Sequence, residues 1–213
     1  MSDLTRVVEH DDGAIAEILL NRADKRNALN QELLDEMRAT VKEVTSRQDV
    51  RVVVLGGEGR SFCAGMDLQA VRTQPEQMGS LLKTLSLLMR EIRRAPQPFI
   101  ARVQGAAIGG GCGLMCVCDF SFTHPDSKIG YPEVDLGICP AVVAPWLVWR
   151  IGSGKARQLL LAGGTLRGEE MYEYGLVTHL VDMDDVCPGA MACARRLARG
   201  GTDGNGSNEA MAQ

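Results

Sequence analysis

Apolar positions recur along the chain with two alternating periods. Residues 14–20, AIAEILL, form a short apolar run that predicts a strand, and the polar loop NRADKRNALN follows it. Beyond the loop, Leu33, Leu34, Met37, Val41 and Val44 fall at helical spacings, and Asn30 stands where it can cap the helix they predict. The β-branched run from Val52 to Leu55 predicts a buried strand, ended by the turn Gly56-Gly57-Glu58-Gly59. Helical spacing returns through Leu81, Leu82, Leu85, Leu88, Met89 and Ile92, and Pro96 and Pro98 break it before a strand at Phe99–Val103. That strand runs into the glycine-rich stretch from Gly105 to Gly111, where a helix begins and continues towards Cys118. The pattern then predicts a strand at Phe120–Thr123, helices near 141–150, 153–162 and 168–174, a strand at 177–181 and a helix over 187–199. Strands alternating with helices make this an α/β domain, with its core over 1–199.

From residue 200 the apolar period is lost, and the stretch GGTDGNGSNEAMAQ has the composition of a disordered tail. A second reading comes from its codons. Thr202–Gln213 can be back-translated so that a one-base shift yields PTAMAATKRWLN, an apolar-plus-basic helical pattern, as a frameshift would produce.

Composition narrows the classes of function. The 213 residues are 45% hydrophobic and 23% charged, enough for one substantial domain. Lys and Arg number 23 against 27 acidic residues, a net charge of −4, and no basic tract rises above that background. With aromatics at only 4%, neither a phosphate-tracking stripe nor a base-stacking platform is present, so nucleic acid is not an expected partner. The polar, acidic start is unlike a secretory signal. The longest uncharged stretches, 103–118 and 136–149, are too short for a membrane helix, so a soluble, cytoplasmic protein is expected. Seven cysteines, at 63, 112, 116, 118, 139, 187 and 193, are an odd number and read as reduced thiols, those at 112, 116 and 118 as small buried apolar groups. Cys112, Cys116 and Cys118 lack a second pair at ligand spacing, and His10, His124 and His179 are scattered, so no metal is expected.

Three segments carry candidate chemistry. Arg60–Leu68 and Gly105–Leu114 are glycine-rich turns, each preceded by an apolar strand. A helix opening at the triple glycine would present N–H groups without internal partners, together with the positive end of its dipole, and such donors stabilise an oxyanion. The spacing of Gly109, Gly111 and Gly113 fails the dinucleotide fingerprint, and neither turn is followed by a phosphate-binding lysine. In the third segment, Ile129–Pro140, Glu133 stands among apolar groups, where desolvation would raise its proton affinity and suit it to acid/base work. Asp135, two residues on, would point the other way in an extended segment and so reads as structural. Trp146, Trp149 and Leu85 read as core packing.

Taken in order, Asn21–Asn30, Phe62–Leu68, Gly105–Leu114 with Cys118-Asp119, and Pro132–Gly137 resemble the motifs of the enoyl-CoA hydratase/isomerase, or crotonase, superfamily, over about residues 5–200. The resemblance implies a spiral of ββα units, assembled as a homotrimer or a dimer of trimers, with the usual C-terminal helical region truncated here to the extent that the altered tail displaces it. It implies an acyl-CoA thioester as substrate, with no separate cofactor, and an enolate held by the backbone N–H groups of Met66 and Gly110. Lys25, Arg26 and Ala28 match the segment that meets the adenine and phosphate end of CoA. Ala64, Gly65 and Asp67 flank the first donor, Asp67 holding its turn through side-chain-to-backbone bonds. Typical hydratases carry two glutamates, and Gly113 stands where the first would be, leaving Glu133 alone. Gly111–Leu114 and Leu136–Pro145 look closest to methylglutaconyl-CoA-hydratase-like members, which points to hydration or dehydration. Isomerisation of a Δ3 to a Δ2 double bond, or an impaired protein that only binds CoA esters, are the alternatives.

Overall fold

A computed structural model describes residues 4–67, 76, 78–137 and 139–200. The tail from Thr202, with its disorder and frameshift readings, lies outside the described residues.

Each turn of the chain lays one strand into a large sheet, then runs a short extended segment, then a helix. The first turn is an antiparallel hairpin, β1 (Thr5–His10) and β2 (Ile15–Leu20), followed by α1 (Gln31–Ser46). The second contributes β3 (Val52–Gly57) and α2 (Met78–Arg94). The third gives β4 (Phe99–Val103), β5 (Ala107–Ile108) and α3 (Gly110–Val117). The fourth gives β6 (Phe120–Thr123), β7 (Lys128–Gly130) and α4 (Ala144–Ala162). Then come β8 (Thr165–Arg167), α5 (Gly168–Tyr174), β9 (His179–Leu180) and α6 (Val186–Arg199). The large sheet has the order β1-β2-β3-β4-β6-β9, parallel from β2 onward, and a second sheet has the order β5-β7-β8. This is the expected ββα spiral.

Both faces of the large sheet are buried, which is why β2 and β3 read as continuous apolar runs. Ala16, Ile18, Leu20, Val53, Leu55, Phe99, Ala101 and Val103 face the main core with α1, α2 and α3. Ile15, Val52, Val54 and Ile100 face α6 through Val186, Ala190, Met191 and Ala194. Asn30 caps α1 as expected, its Oδ1 accepting the Leu33 N–H at 3.0 Å.

The structure differs from the sequence reading at several elements. β1 lies in the polar, acidic start, where no element was expected; it is an edge strand carried by its pairing with β2, not by its own pattern. The helices expected near 141–150 and 153–162 are both present, as two helical stretches of Ala144–Ala162 broken where Gly152 takes φ 77°, ψ 160°. Trp149 is 54% exposed beneath the Arg93 guanidinium and is not core. The seven cysteines are all free and Cys112, Cys116 and Cys118 are buried, both as expected, while Cys139 and Cys187 are exposed. No described helix is long and apolar enough to cross a membrane.

Candidate active site

Between β2 and α1 the chain makes a tight 3-10 turn at Ala23–Lys25 and continues through Arg26 and Asn27, both at positive φ. Asn27 is fully buried and its amide fastens this loop to the next turn of the spiral. Its Nδ2 donates towards the carbonyls of Glu58, Ser61 and Phe62 at 2.9–3.1 Å, while its Oδ1 accepts the Arg22 N–H at 2.9 Å. Asn tolerates the left-handed backbone better than most residues, so this side chain suits both requirements.

The loop of residues 61–67 then lies between two neighbours. On one side, Ala64 N–H donates to Arg26 O at 3.0 Å, Leu29 N–H to Gly65 O at 2.7 Å, and Asp67 N–H to Leu29 O at 2.9 Å. Leu29 and Met66 thus form a parallel bridge whose bonds come from the residues flanking Met66. Strand alternation turns the N–H of Met66 itself away from Leu29. On the other side, Cys63 bridges Ala107, and a methyl group at Gly65 would lie 2.8 Å from Ile108 O. Only a glycine permits that approach.

Gly109 ends β5 and enters α3 at φ 53°, ψ −114°. Gly110 is the first residue of the helix, so its N–H has no carbonyl four residues back and leaves the helix N-terminus with the positive end of the dipole. Side chains at Gly110 and Gly111 would meet Leu29 and Leu85, and Cys63, respectively, so the two glycine-rich turns are in direct contact.

Glu133 comes to the same place from the fourth turn of the spiral. It sits in a 3-10 turn, Pro132–Leu136, closed by Gly137 at φ 71°. A methyl group at Gly109 would lie 2.8 Å from Glu133 Oε1 and 3.0 Å from Oε2, so the carboxylate rests on the Gly109 Cα. Burial pushes its proton affinity above the usual carboxylate range, with its own backbone N–H pulling the other way. Met66, Gly110 and Glu133 are therefore carried by three segments, of which the one at 105–114 touches both of the others.

Lys25, Arg26, Ala28, Ala64, Gly65 and Asp67 form one continuous strip beside Met66, with Lys25 and Arg26 exposed. Asp67 pairs with Arg22 across 2.9 Å, and Arg22 Nη1 donates to Ala28 O at 2.8 Å. This ion pair ties the second loop to the first. Arg22 was not foreseen; nothing in the run NRADKRN distinguishes it from its charged neighbours. Asp135 is structural as expected, but for a different reason: the segment is a 3-10 turn, and its carboxylate accepts the Gly164 N–H at 3.1 Å.

The place of the family's first glutamate is packed. A methyl group at Gly113 would lie 2.5 Å from Met89 Cε and 2.6 Å from Val143 Cγ1. Behind it Tyr131, fully buried, sets its hydroxyl 3.6 Å from Cys116 Sγ. Burial pushes the Cys112 thiol and the Tyr131 hydroxyl up, so both stay protonated beside Cys116.

Comparison with known proteins places the chain in a family. The enoyl-CoA hydratase/isomerase family model matches residues 10–205. A "Probable enoyl-CoA hydratase" of Rhizobium meliloti is 34% identical over 199 residues, covering 93% of this chain and 77% of the relative. A "Short-chain-enoyl-CoA hydratase" of Clostridium acetobutylicum is 30% identical over 198 residues, covering 92% and 76%. The crystal structure of an enoyl-CoA hydratase from Bacillus anthracis superposes with a TM-score of 0.89 at 31% identity, covering 93% of this chain and 78% of that one. This chain belongs to the enoyl-CoA hydratase/isomerase family and has the crotonase fold. It is an acyl-CoA enzyme of that family.

Proposed function

We propose that the protein adds water to, or removes it from, an enoyl-CoA thioester, with Glu133 as its one acid/base. The Glu133 carboxylate resting against the Gly109 Cα, at the opening of α3, carries this reading. In the hydration direction Glu133 takes a proton from water as the oxygen bonds to the β-carbon. The electron pair of the double bond moves to the thioester oxygen, where the N–H groups of Met66 and Gly110 receive the charge. Glu133 then returns the proton to the α-carbon. Loss of one such backbone donor costs about 2.7–4 kcal/mol in enzymes of this type of chemistry. Lys25 and Arg26 supply exposed positive charge for the phosphates of CoA, and Ala28, Ala64 and Gly65 line its path, while Asp67 holds that path through Arg22. No cofactor beyond the thioester is invoked. The motifs at Gly111–Leu114 and Leu136–Pro145 support placement near the methylglutaconyl-CoA-hydratase-like members. A cytoplasmic homotrimer or hexamer completes the proposal.

One observation favours a second reading, Δ3,Δ2 isomerisation. The place of a second carboxylate is filled by Met89 and Val143, so no second group is there to hold a water. Glu133 would then move one proton between two carbons of the acyl chain. Straight and branched enoyl-CoAs assayed for both water addition and double-bond migration separate the two. Glu133→Gln should abolish whichever is found; full turnover by that variant would reject the proposal.

A further inference from the structure

The turn that presents Glu133 is closed at its C-terminal end by the Gly137 N–H, which donates to Glu133 O and Val134 O, while its N-terminal end is weakly held. Pro132 has no N–H to give, and the Val134 N–H reaches Tyr131 O at only 3.4 Å. Further anchorage comes from residues 163–165, after α4. Tyr131 N–H donates to Gly164 O at 3.0 Å, and Gly164 N–H donates to Asp135 Oδ2 at 3.1 Å. One residue, Gly164, therefore grips the chain two residues before Glu133 and two residues after it. Gly163 and Gly164 stand at φ 65° and 63°, consecutive left-handed positions open to glycine at little cost. They turn both polar groups of Gly164 onto the 131–135 segment. A methyl group at Gly163 would lie 2.2 Å from Asp135 Oδ1, so the carboxylate covers that Cα. The pairing of β7 with β8 ends one step away, at Gly130 and Thr165, so the grip extends an existing ladder.

We propose that Asp135 is a positioning residue for the reaction, holding the Glu133 turn through the Gly164 N–H. The proposal rests on Glu133 being the acid/base. Asp135 is on the exposed side of the turn and does not touch Gly109 or Met66 loops in any bond described, so it acts on catalysis only through its neighbour.

A double-mutant cycle tests it, run on whichever enoyl-CoA the native protein turns over. Asp135→Ala should lower kcat by about tenfold and leave KM within about twofold, since an error well under an ångström in a catalytic group costs less than the roughly hundredfold of a full ångström. Asp135→Asn should restore most of the rate, because its side-chain carbonyl can accept the same N–H. In a Glu133→Gln background, Asp135→Ala should change the residual rate by less than about twofold, for there is no longer a carboxylate to aim. An Asp135→Ala protein with native kcat, alongside an inactive Glu133→Gln protein, overturns the proposal. So does the same tenfold loss in both backgrounds, which marks a general structural role. An active Glu133→Gln protein instead sinks the reading of Glu133 itself. If Asp135→Ala does not fold, Asp135→Ser, too short to reach Gly164, takes its place with the same outcomes.

Discussion

Gly109→Ala perturbs the proposed centre with the fewest atoms. The new methyl group would stand 2.8 Å, 3.0 Å and 3.2 Å from Oε1, Oε2 and Cδ of Glu133, well inside contact distance. The obstructing atoms are the end of a flexible side chain, so the carboxylate can swing away at little cost in stability. The backbone cannot adapt so cheaply: φ 53° with ψ −114° is a region that alanine avoids, at a cost of about 1–3 kcal/mol. For a chain of this size each kcal/mol lowers Tm by roughly 2–4 °C, so the variant should melt about 2–12 °C early and remain folded. Relieving the contact means moving the carboxylate by on the order of 1 Å, and a displacement of that size costs about a hundredfold in rate. The expected result is therefore a folded protein with kcat down about 10²-fold, followed by loss of the conjugated enoyl-thioester absorbance. A Gly109→Ala protein with native kcat would refute the argument, since it would mean the carboxylate is not needed where it rests.

Further outcomes follow from neighbouring residues. Because burial holds the Glu133 carboxyl above its ordinary range, kcat/KM should rise with pH through a midpoint above that of an exposed glutamate, and a pH–rate profile checks this. The same shift has the opposite sign for stability: the raised proton affinity favours the fold at low pH, and that contribution is lost as pH rises through the folded-state value. Glu133→Gln should thus melt at or above the native protein at neutral pH, with the difference shrinking in acid, as thermal scans at two pH values would show. Asn27→Ala removes the buried amide that serves three carbonyls and leaves alanine at φ 56°, so chemical denaturation should show a loss of about 2–4 kcal/mol. Gly113→Glu should not add hydratase activity, because its first carbon already collides with Met89 and Val143; overpacking of about 1–3 kcal/mol should appear as a lower Tm.

How much of this was legible in sequence depends on what carried each element. α1 was readable to its cap because Asn30 and the buried stripe Leu33, Leu34, Met37, Val41 and Val44 encode it locally. α2 and β4 were bounded by Pro96 and Pro98 for the same reason. β1, β5, β7 and β8 were not seen, since two or three residues hold no period and an edge strand such as β1 exists through its partner. At the site, the glycine turns and Glu133 stood out by residue type. Their contact depends on spiral turns stacking residues 65, 109 and 133 side by side, which no local pattern records. The Arg22–Asp67 pair and the Asp135–Gly164 bond likewise join residues 45 and 29 positions apart, and only the fold selects them from many charged candidates.

The forces on Glu133 explain why such distant bonds matter. Burial disfavours the charged carboxylate while its own backbone N–H favours it, and the net upward shift means burial prevails. A carboxylate in that balance gains hydration by swinging outward, so the energy that makes it a better base also works to dislodge it. The backbone of the turn sets where that side chain starts, and it is held by the Gly137 N–H at its C-terminal end and by the contacts that Gly164 makes at Tyr131 and Asp135. Tuning by desolvation and anchorage from a later turn of the spiral are thus two halves of one requirement, and a variant that loosens the anchor should lose rate before it loses fold.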